Sequence, residues 1–238
     1  ACVVLAVLDE HLRPVAGTFR YADVVRDGMV VDYIGAIRIV REMKEELEEK
    51  LGSQLIYAAA AIPPGTDALD SGAIKNVVQG AGFEITALPD EPTAANAVLN
   101  IRNGAVVDIG GGTTGISVLK DGKVVYVADE PTGGTHFSLV IAGAYKMSFA
   151  DAEIYKRDKK NHKELLPVLK PVIEKVSSII SRHIEGREVD GIYLVGGTCC
   201  LTGIEGIIEK KTGIPTYKPG NPMFVTPLGI ARNCTAQV

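Results

Sequence analysis

The sequence predicts a mixed α/β protein of two lobes, and three observations predict it. Short β-like runs alternate with segments of helical period along the whole chain. The order hairpin, helix, strand, helix, strand, helix is followed by hairpin, helices, strand, helix, strand, so the second half echoes the first. The length of 238 residues accommodates two modest domains. The lobe boundary is expected near residues 101–105. That gives a first lobe over 1–103, a second over 104–222, and a C-terminal helix over 223–238 that returns to the first.

The elements follow in order. Residues 2–8 read as a buried strand, 9–13 as a turn and 14–19 as the return strand. Asp27-Gly28 marks a turn before a short strand at 29–31. In a helix over 34–51, Ile34, Ile37, Val40, Met43 and Leu47 recur at three- and four-residue spacing, and the charged stretch 42–50 is its solvated side. Residues 55–62 form a buried strand stopped by Pro63-Pro64-Gly65. A helix over 68–79 turns Leu69, Ile74, Val77 and Val78 inward and ends at Gly80 and Gly82. A strand at 83–88, a short helix at 93–100 and a strand at 105–109 lead into Gly110-Gly111-Gly112.

Residues 116–119 and 123–127 form a hairpin around Asp121-Gly122, a strong turn signal. Residues 135–145 are helical, and Ser148 opens another helix through Arg157 by its capping-box spacing to Asp151. Residues 156–163 read as a basic loop and 165–184 as a long amphipathic helix. A strand at 191–195 runs into Gly196-Gly197, followed by a helix at 204–211, a strand at 215–217 and a last helix at 225–232.

Composition narrows the function. Hydrophobic residues make up 46% and charged residues 23%, which excludes a disordered chain. The longest apolar runs, 1–8 and 55–62, fall far short of the roughly 20 residues a spanning helix needs. A net charge of −4 lacks the footprint of a nucleic-acid binder, so neither nucleic acid nor a membrane span is expected. The four cysteines, Cys2, Cys199, Cys200 and Cys234, form no C-x-x-C pair, and zinc and iron–sulfur spacings are absent. With no signal peptide visible, reduced thiols and a cytoplasmic location are expected. The chain opens at Ala1 inside a β-like run without an initiator Met, so a preceding segment is expected.

The glycines, 26 in all against a usual level of about 7%, carry the functional signal. Gly110-Gly111-Gly112-Thr113-Thr114-Gly115 matches G-x-G-x-x-G, but a β-like run follows where the dinucleotide fingerprint needs a helix. No G-K-[ST] occurs, so a Walker A loop is absent as well. What remains is a glycine loop between two strands, whose backbone N–H groups can close around phosphate oxygens. Asp108, at the end of the first arm, suits a hydrated Mg2+, and Thr113 offers a hydroxyl. A glycine bulge between core strands is the structural alternative.

Further motifs fall in a definite order. Asp108-Ile-Gly-Gly-Gly-Thr-Thr resembles the second phosphate loop of the superfamily of actin, sugar kinases and the seventy-kilodalton heat-shock (DnaK-like) chaperones. Glu91-Pro92-Thr93-Ala94-Ala95 resembles its connecting motif, Gly133-Gly134 its next glycine pair, and Tyr193-Leu194-Val195-Gly196-Gly197-Thr198 its adenosine motif. Asn221-Pro222 with Pro227-Leu228-Gly229-Ile230-Ala231 resembles its final connecting segment, and Asp27-Gly28-x-Val30-x-Asp32 a segment of the bacterial actins. Compact size and minimal insertions make the chain similar to the ethanolamine utilization EutJ family within it.

The resemblance implies an actin-like ATPase fold of two duplicated ribonuclease H-like lobes, binding ATP or ADP with Mg2+ between them. It implies that Asp108 holds the metal through water, Thr113 meets the γ-phosphate and Glu91 orients water or metal, these three being the catalytic candidates. Gly110, Gly111, Gly112, Gly133 and Gly134 become phosphate contacts, and Gly196, Gly197 and Thr198 nucleoside contacts. Glu153 and Lys156, spaced i, i+3 on one helix face, match a pair that grips ribose and adenine; an exposed ion pair is the alternative. The implied function is a chaperone-like, nucleotide-binding protein, an uncertain ATPase, serving a client enzyme or shell protein of a bacterial microcompartment. The alternative is a filament-forming scaffold like FtsA or MreB.

Departures qualify this. The family's first phosphate loop is expected ahead of Ala1. Gly115 stands where the chaperone branch has a second aspartate, Cys200 where an arginine often stacks on adenine, and Met223 where an aspartate is common. Hydrolysis is therefore expected to be slow or absent even where nucleotide binds. A small-molecule kinase lacks a sugar-site motif here, and a reductase activator lacks bridging cysteines. His136 reads as a helix-start polar residue, His11, His162 and His183 as surface residues, and Cys199-Cys200 as core packing.

Overall fold

The computed structural model describes residues 2–26, 29–62 and 68–234. The turn expected at Asp27-Gly28, the stop at Pro63-Pro64-Gly65, the Leu69 side chain and residues 235–238 lie outside them. The chain divides into two compact units, unit 1 comprising Ala1–Asn100 with Phe224–Val238 and unit 2 comprising Ile101–Met223.

In unit 1, β1 (Cys2–Leu8) and β2 (Pro14–Tyr21) form an antiparallel hairpin, and β3 (Val25–Arg26) pairs with β4 (Met29–Val30). Helix α1 (Tyr33–Leu51) starts at Asp32, whose carboxylate accepts the Gly35 N–H at 2.8 Å, and ends at Gly52 with φ of 66°. Asp32 of the bacterial-actin-like segment thus has a capping role. The buried stripe is Ala36, Val40, Met43 and Leu47. Ile34 was expected inward but is 74% exposed. It precedes Ala36 by two residues, about 200° around the helix, and so faces away from that stripe.

Strand β5 (Tyr57–Ala59) runs parallel to β6 (Glu84–Ala87), joined through α2 (Ala68–Gly80). The expected strand over 55–62 is cut to three residues with a register shift at Ala58/Ala59, and the Ala60 and Ile62 N–H groups carry the pairing on, each at 3.1 Å, to the Ala87 and Pro89 carbonyls. Helix α3 (Glu91–Leu99) is capped by Asp90. It packs against α8 (Val225–Arg232) so closely that a Cβ on Gly229 would fall inside the carbonyl oxygen of Ala94. The two connecting motifs are therefore one helix crossing, which requires small residues on both sides.

Unit 2 is built on a five-stranded sheet of order β11-β10-β7-β8-β9. Its strands are β7 (Gly104–Ile109), β8 (Thr114–Lys120), β9 (Lys123–Glu130), β10 (Ile192–Val195) and β11 (Thr216–Tyr217). Strands β7, β8 and β9 pair antiparallel, while β10 runs parallel to β7 and β11. Asp121 and Gly122, with φ of 52° and 77°, make the tight turn between β8 and β9. Helices α4 (Gly134–Tyr145), α5 (Phe149–Arg157), α6 (His162–Ile184) and α7 (Ile204–Thr212) complete the unit. Val107, Ile109, Ile116 and Val118 of the sheet join Phe137, Ile141, Leu165, Leu169, Ile173 and Ile180 of the helices in one core.

Two readings need correction here. Residues 156–163 are not a loop: α5 runs through Arg157, a 3-10 turn covers Lys159–Asn161, and α6 begins at His162. His162 is not a surface residue but 3% exposed. Its Nδ1 accepts the Thr202 N–H at 3.0 Å and its Nε2 faces the Lys156 carbonyl at 3.0 Å, which fixes a neutral ring with the proton on Nε2. His183 is half-buried as well, at 2.7 Å from both the Tyr126 hydroxyl and Glu130 Oε1.

Candidate functional site

The core strand β7 delivers Asp108 and then the loop Gly110–Thr113, which β8 closes from the other side. The Gly110 N–H donates to the Thr113 carbonyl at 3.0 Å, so the loop is a tight turn. The N–H groups of Gly111, Gly112 and Thr113 take no partner among the described residues. No atom lies within 4 Å of a Cβ built on Gly111, so what glycine preserves there is open space.

The second glycine pair packs directly on this turn. Gly134 N–H donates to the Gly110 carbonyl at 2.9 Å and Thr135 N–H to the Gly111 carbonyl at 2.8 Å. A Cβ on Gly133 would stand 2.8 Å from Gly112 C and from Thr113 N, which no real side chain tolerates. The third loop closes the group: the Thr198 hydroxyl donates to the same Gly110 carbonyl at 2.8 Å. Gly196, at φ of 92°, leaves room for the Asp108 carboxylate, which a Cβ there would overlap. Gly197 begins the 3-10 turn Gly197–Cys200 beside it.

Glu153 and Lys156 on α5 complete the cluster. Lys156 Nζ donates to Glu153 Oε1 at 2.6 Å, Ser138 Oγ at 2.7 Å and the Gly134 carbonyl at 2.8 Å. Arg157 holds the other Glu153 oxygen at 2.7 Å. Burial opposes ionisation of Glu153, but the hydrogen bonds from Lys156 and Ser138 with the nearby Lys156 and Arg157 charges outweigh it and lower its pKa. Burial lowers the pKa of Lys156, against the pull of Glu153. The pair is thus internal to the fold, not the exposed ion pair of the alternative reading.

Asp129 and Ser138 had not been singled out from the sequence. Gly115 on β8 lies in register between Asp108 on β7 and Asp129 on β9. A Cβ on Gly115 would stand 3.8 Å from Asp129 Oδ1 and 4.0 Å from Asp108 Cβ, ordinary contacts that a small side chain could make. Below Asp108, Cys199 is fully buried, and burial with the nearby aspartate pushes its thiol well up, so it packs rather than reacts. Unit 2 therefore brings together Asp108, Gly110–Thr113, Gly133, Gly134, Glu153, Lys156 and 196–198. Glu91 belongs to unit 1, in the first turn of α3. No group of three or more His, Cys, Asp or Glu suited to a metal occurs among the described residues, and none of their helices is long and apolar enough to cross a membrane.

Three unpartnered N–H groups in one tight turn, beside the Asp108 carboxylate, fit an anion accompanied by a hydrated cation. They do not fit a metal caged by protein ligands alone.

Comparison with known proteins agrees with this geometry. Residues 81–223 match the family model described as type IV pilus assembly protein PilM and belong to that family. The ethanolamine utilization protein EutJ of Salmonella typhimurium is 44% identical over 236 residues, which cover 99% of this chain and 83% of that protein. The chain belongs to the EutJ family. The crystal structure of EutJ from Carboxydothermus hydrogenoformans superposes with a TM-score of 0.94 at 51% identity, covering 97% of this chain and 85% of that one. The fold of this EutJ-family chain is that of the actin-like ATPases. MreB5 of Spiroplasma citri, solved bound to ADP, shares it with a TM-score of 0.72 at 18% identity, over 95% of this chain and 86% of its own.

Proposed function

We propose that this chain binds ATP and ADP with Mg2+ on the glycine loops of unit 2 and acts as a chaperone-like factor in ethanolamine utilization. The observation that carries the reading is the trio of unpartnered N–H groups at Gly111, Gly112 and Thr113, held by a turn that two other loops brace. These groups and the Thr113 hydroxyl take the phosphate oxygens. Gly133 and Gly134 wall the phosphate side, and Gly196, Gly197 and Thr198 the nucleoside side. Asp108 holds the cation through its water shell. Bound Mg2+ supplies the positive charge that neutralises phosphate oxygens. The ADP bound by MreB5, on the same fold, supports a nucleotide as the ligand.

Hydrolysis is slow in this reading, because Gly115 brings no carboxylate to the middle strand and loss of a preorganised group of this kind costs about 10²–10³ in rate. Membership of the EutJ family supports a client among the enzymes or shell proteins of a microcompartment, and a cytoplasmic location beside it. Calorimetry of ADP and ATP with and without Mg2+, together with phosphate release, tests the reading. Saturable, Mg2+-strengthened binding with slow release is expected, and absence of binding contradicts it. Nucleotide-dependent protection of a client enzyme from aggregation is expected as well. Filaments in electron micrographs with ATP would replace the chaperone reading with the scaffold one.

A further inference from the structure

Three residues form one row across the sheet of unit 2. Asp108 on β7 lies opposite Gly115 on β8, and Gly115 lies opposite Asp129 on β9. Directly opposed residues of antiparallel strands share a face, so both aspartates rise on the side away from the core around Val107, Ile109 and Ile116. The middle member of the row has no side chain. Apart from its chain neighbours, a Cβ on Gly115 would meet only Asp129 Oδ1 at 3.8 Å and Asp108 Cβ at 4.0 Å. A trough about one side chain wide therefore separates the two aspartates, floored by Gly115. It lies at the second residue pair below the turn that presents the Gly111, Gly112 and Thr113 N–H groups. The Asp129 carboxylate leans over Gly115, while the Asp108 carboxylate leans the other way, onto Gly196 after β10.

We propose that Asp129 is a second carboxylate for the hydrated cation, holding its water shell from β9 across Gly115 while Asp108 holds it from β7. The proposal rests on the nucleotide reading above and adds a residue to its cation end. The width of the row favours contact through water. The first and third strands of such a row stand about 9.5 Å apart. An aquated Mg2+, with water oxygens at about 2.1 Å and a further bond of about 2.7 Å to each carboxylate, spans that width. Asp129 is exposed where Asp108 is half-buried, so solvent screens it more and its share of the cation is the smaller. β9 is also the edge strand of the sheet, where a charge discourages the addition of a further strand. That role asks only for a charge and is indifferent to Mg2+.

The test titrates ADP, over a series of Mg2+ concentrations, into the unaltered chain, Asp129→Asn, and Asp129→Asn combined with Gly115→Asp. The gain in ADP affinity that Mg2+ brings falls about threefold in Asp129→Asn, while ADP without Mg2+ binds at least as well. Gly115→Asp restores the gain, because a side chain there meets only ordinary contacts. An unchanged gain in Asp129→Asn would leave Asp129 as an edge-strand charge and overturn the proposal, as would equal losses with and without Mg2+. Amide spectra recorded with Mn2+ alone separate this from the nucleotide reading. Mn2+ broadens the Gly115 and Asp129 amides of the nucleotide-free chain, and half-maximal broadening takes about threefold more Mn2+ in Asp129→Asn. Absence of that broadening, or an unchanged midpoint in the variant, would sink the role of Asp129 even where ADP binds well. Failure of the unaltered chain to bind ADP would sink the nucleotide reading, and the Mn2+ midpoints would still decide for or against Asp129.

Discussion

Unit 2 hangs its glycine loops on the ends of a five-stranded sheet backed by α4 and α6, whereas unit 1 is assembled from three two-stranded sheets and a small core around Val24, Val40, Val77 and Phe83. Their charges differ too. Unit 1 carries nine Lys and Arg against fifteen Asp and Glu, a net −6, and unit 2 sixteen against fourteen, a net +2. The comparison teaches where precision is needed. Loops that must aim N–H groups to within a fraction of an ångström sit on the unit with the continuous core and the less hostile field for phosphate. Apart from that core, unit 1 has one very close helix crossing, α3 on α8, where Gly229 meets the Ala94 carbonyl.

The sharpest way to break this contrast is Gly229→Ala. The new methyl would overlap the Ala94 carbonyl, and because backbone meets backbone no side chain can give way. A destabilisation of about 3 kcal/mol or more is expected. Urea denaturation with amide exchange should show protection lost in α3 and α8 and kept in β7 and β8. Equal loss in both units would mean that they do not differ in the way described.

Next in size is Gly196→Ala. Its Cβ meets the Asp108 carboxylate at a left-handed φ of 92°. About 1–3 kcal/mol of local strain is expected, expressed as at least a tenfold loss of ADP affinity by calorimetry. Unchanged affinity would show that Asp108 and its glycine neighbour are not part of the ligand surface. Asp108→Asn is gentler on the fold. The Mg2+-dependent share of ADP affinity disappears, while the urea midpoint stays within experimental scatter. A variant that still responds to Mg2+ would count against Asp108.

The smallest effect is a pH dependence confined to unit 2. Burial lowers the pKa of His162 below its usual 6.5. A proton on Nδ1 would displace the Thr202 N–H, so the folded state favours the neutral ring. The unfolded chain therefore takes up the proton first as pH falls. The stability is fully present above about pH 6.5 and is lost progressively below it. His162→Gln should flatten that slope in chemical denaturation followed from pH 7 down to 5. A slope that survives the substitution would move the effect elsewhere.

Much of this was legible in the sequence. The Asp121-Gly122 turn, the Ser148 cap and the glycine-ended strands are local signals with local causes, and they appear where the sequence puts them. Asp129 was hidden by a bulge. Counting back from the turn, Lys120 faces Lys123, and an unbroken ladder would set Gly115 opposite Ala128. The register shift at Val118/Leu119 sets it opposite Asp129 instead. His162 and the 156–163 stretch read as solvated because they are polar, while backbone groups of the nearby Lys156 and the distant Thr202 satisfy the imidazole inside the fold. The engagement of Lys156 could not be read from its spacing to Glu153, because Ser138 and Gly134 reach it only through packing of α4 on α5.

The most direct test of the central claim, that the N–H groups of unit 2's first glycine loop take nucleotide phosphates, is amide chemical-shift mapping of the isotope-labelled chain during titration with Mg2+·ADP. Gly111, Gly112, Thr113 and Gly134 should shift first and furthest and saturate together. Saturable shifts elsewhere with these four amides unmoved would contradict it.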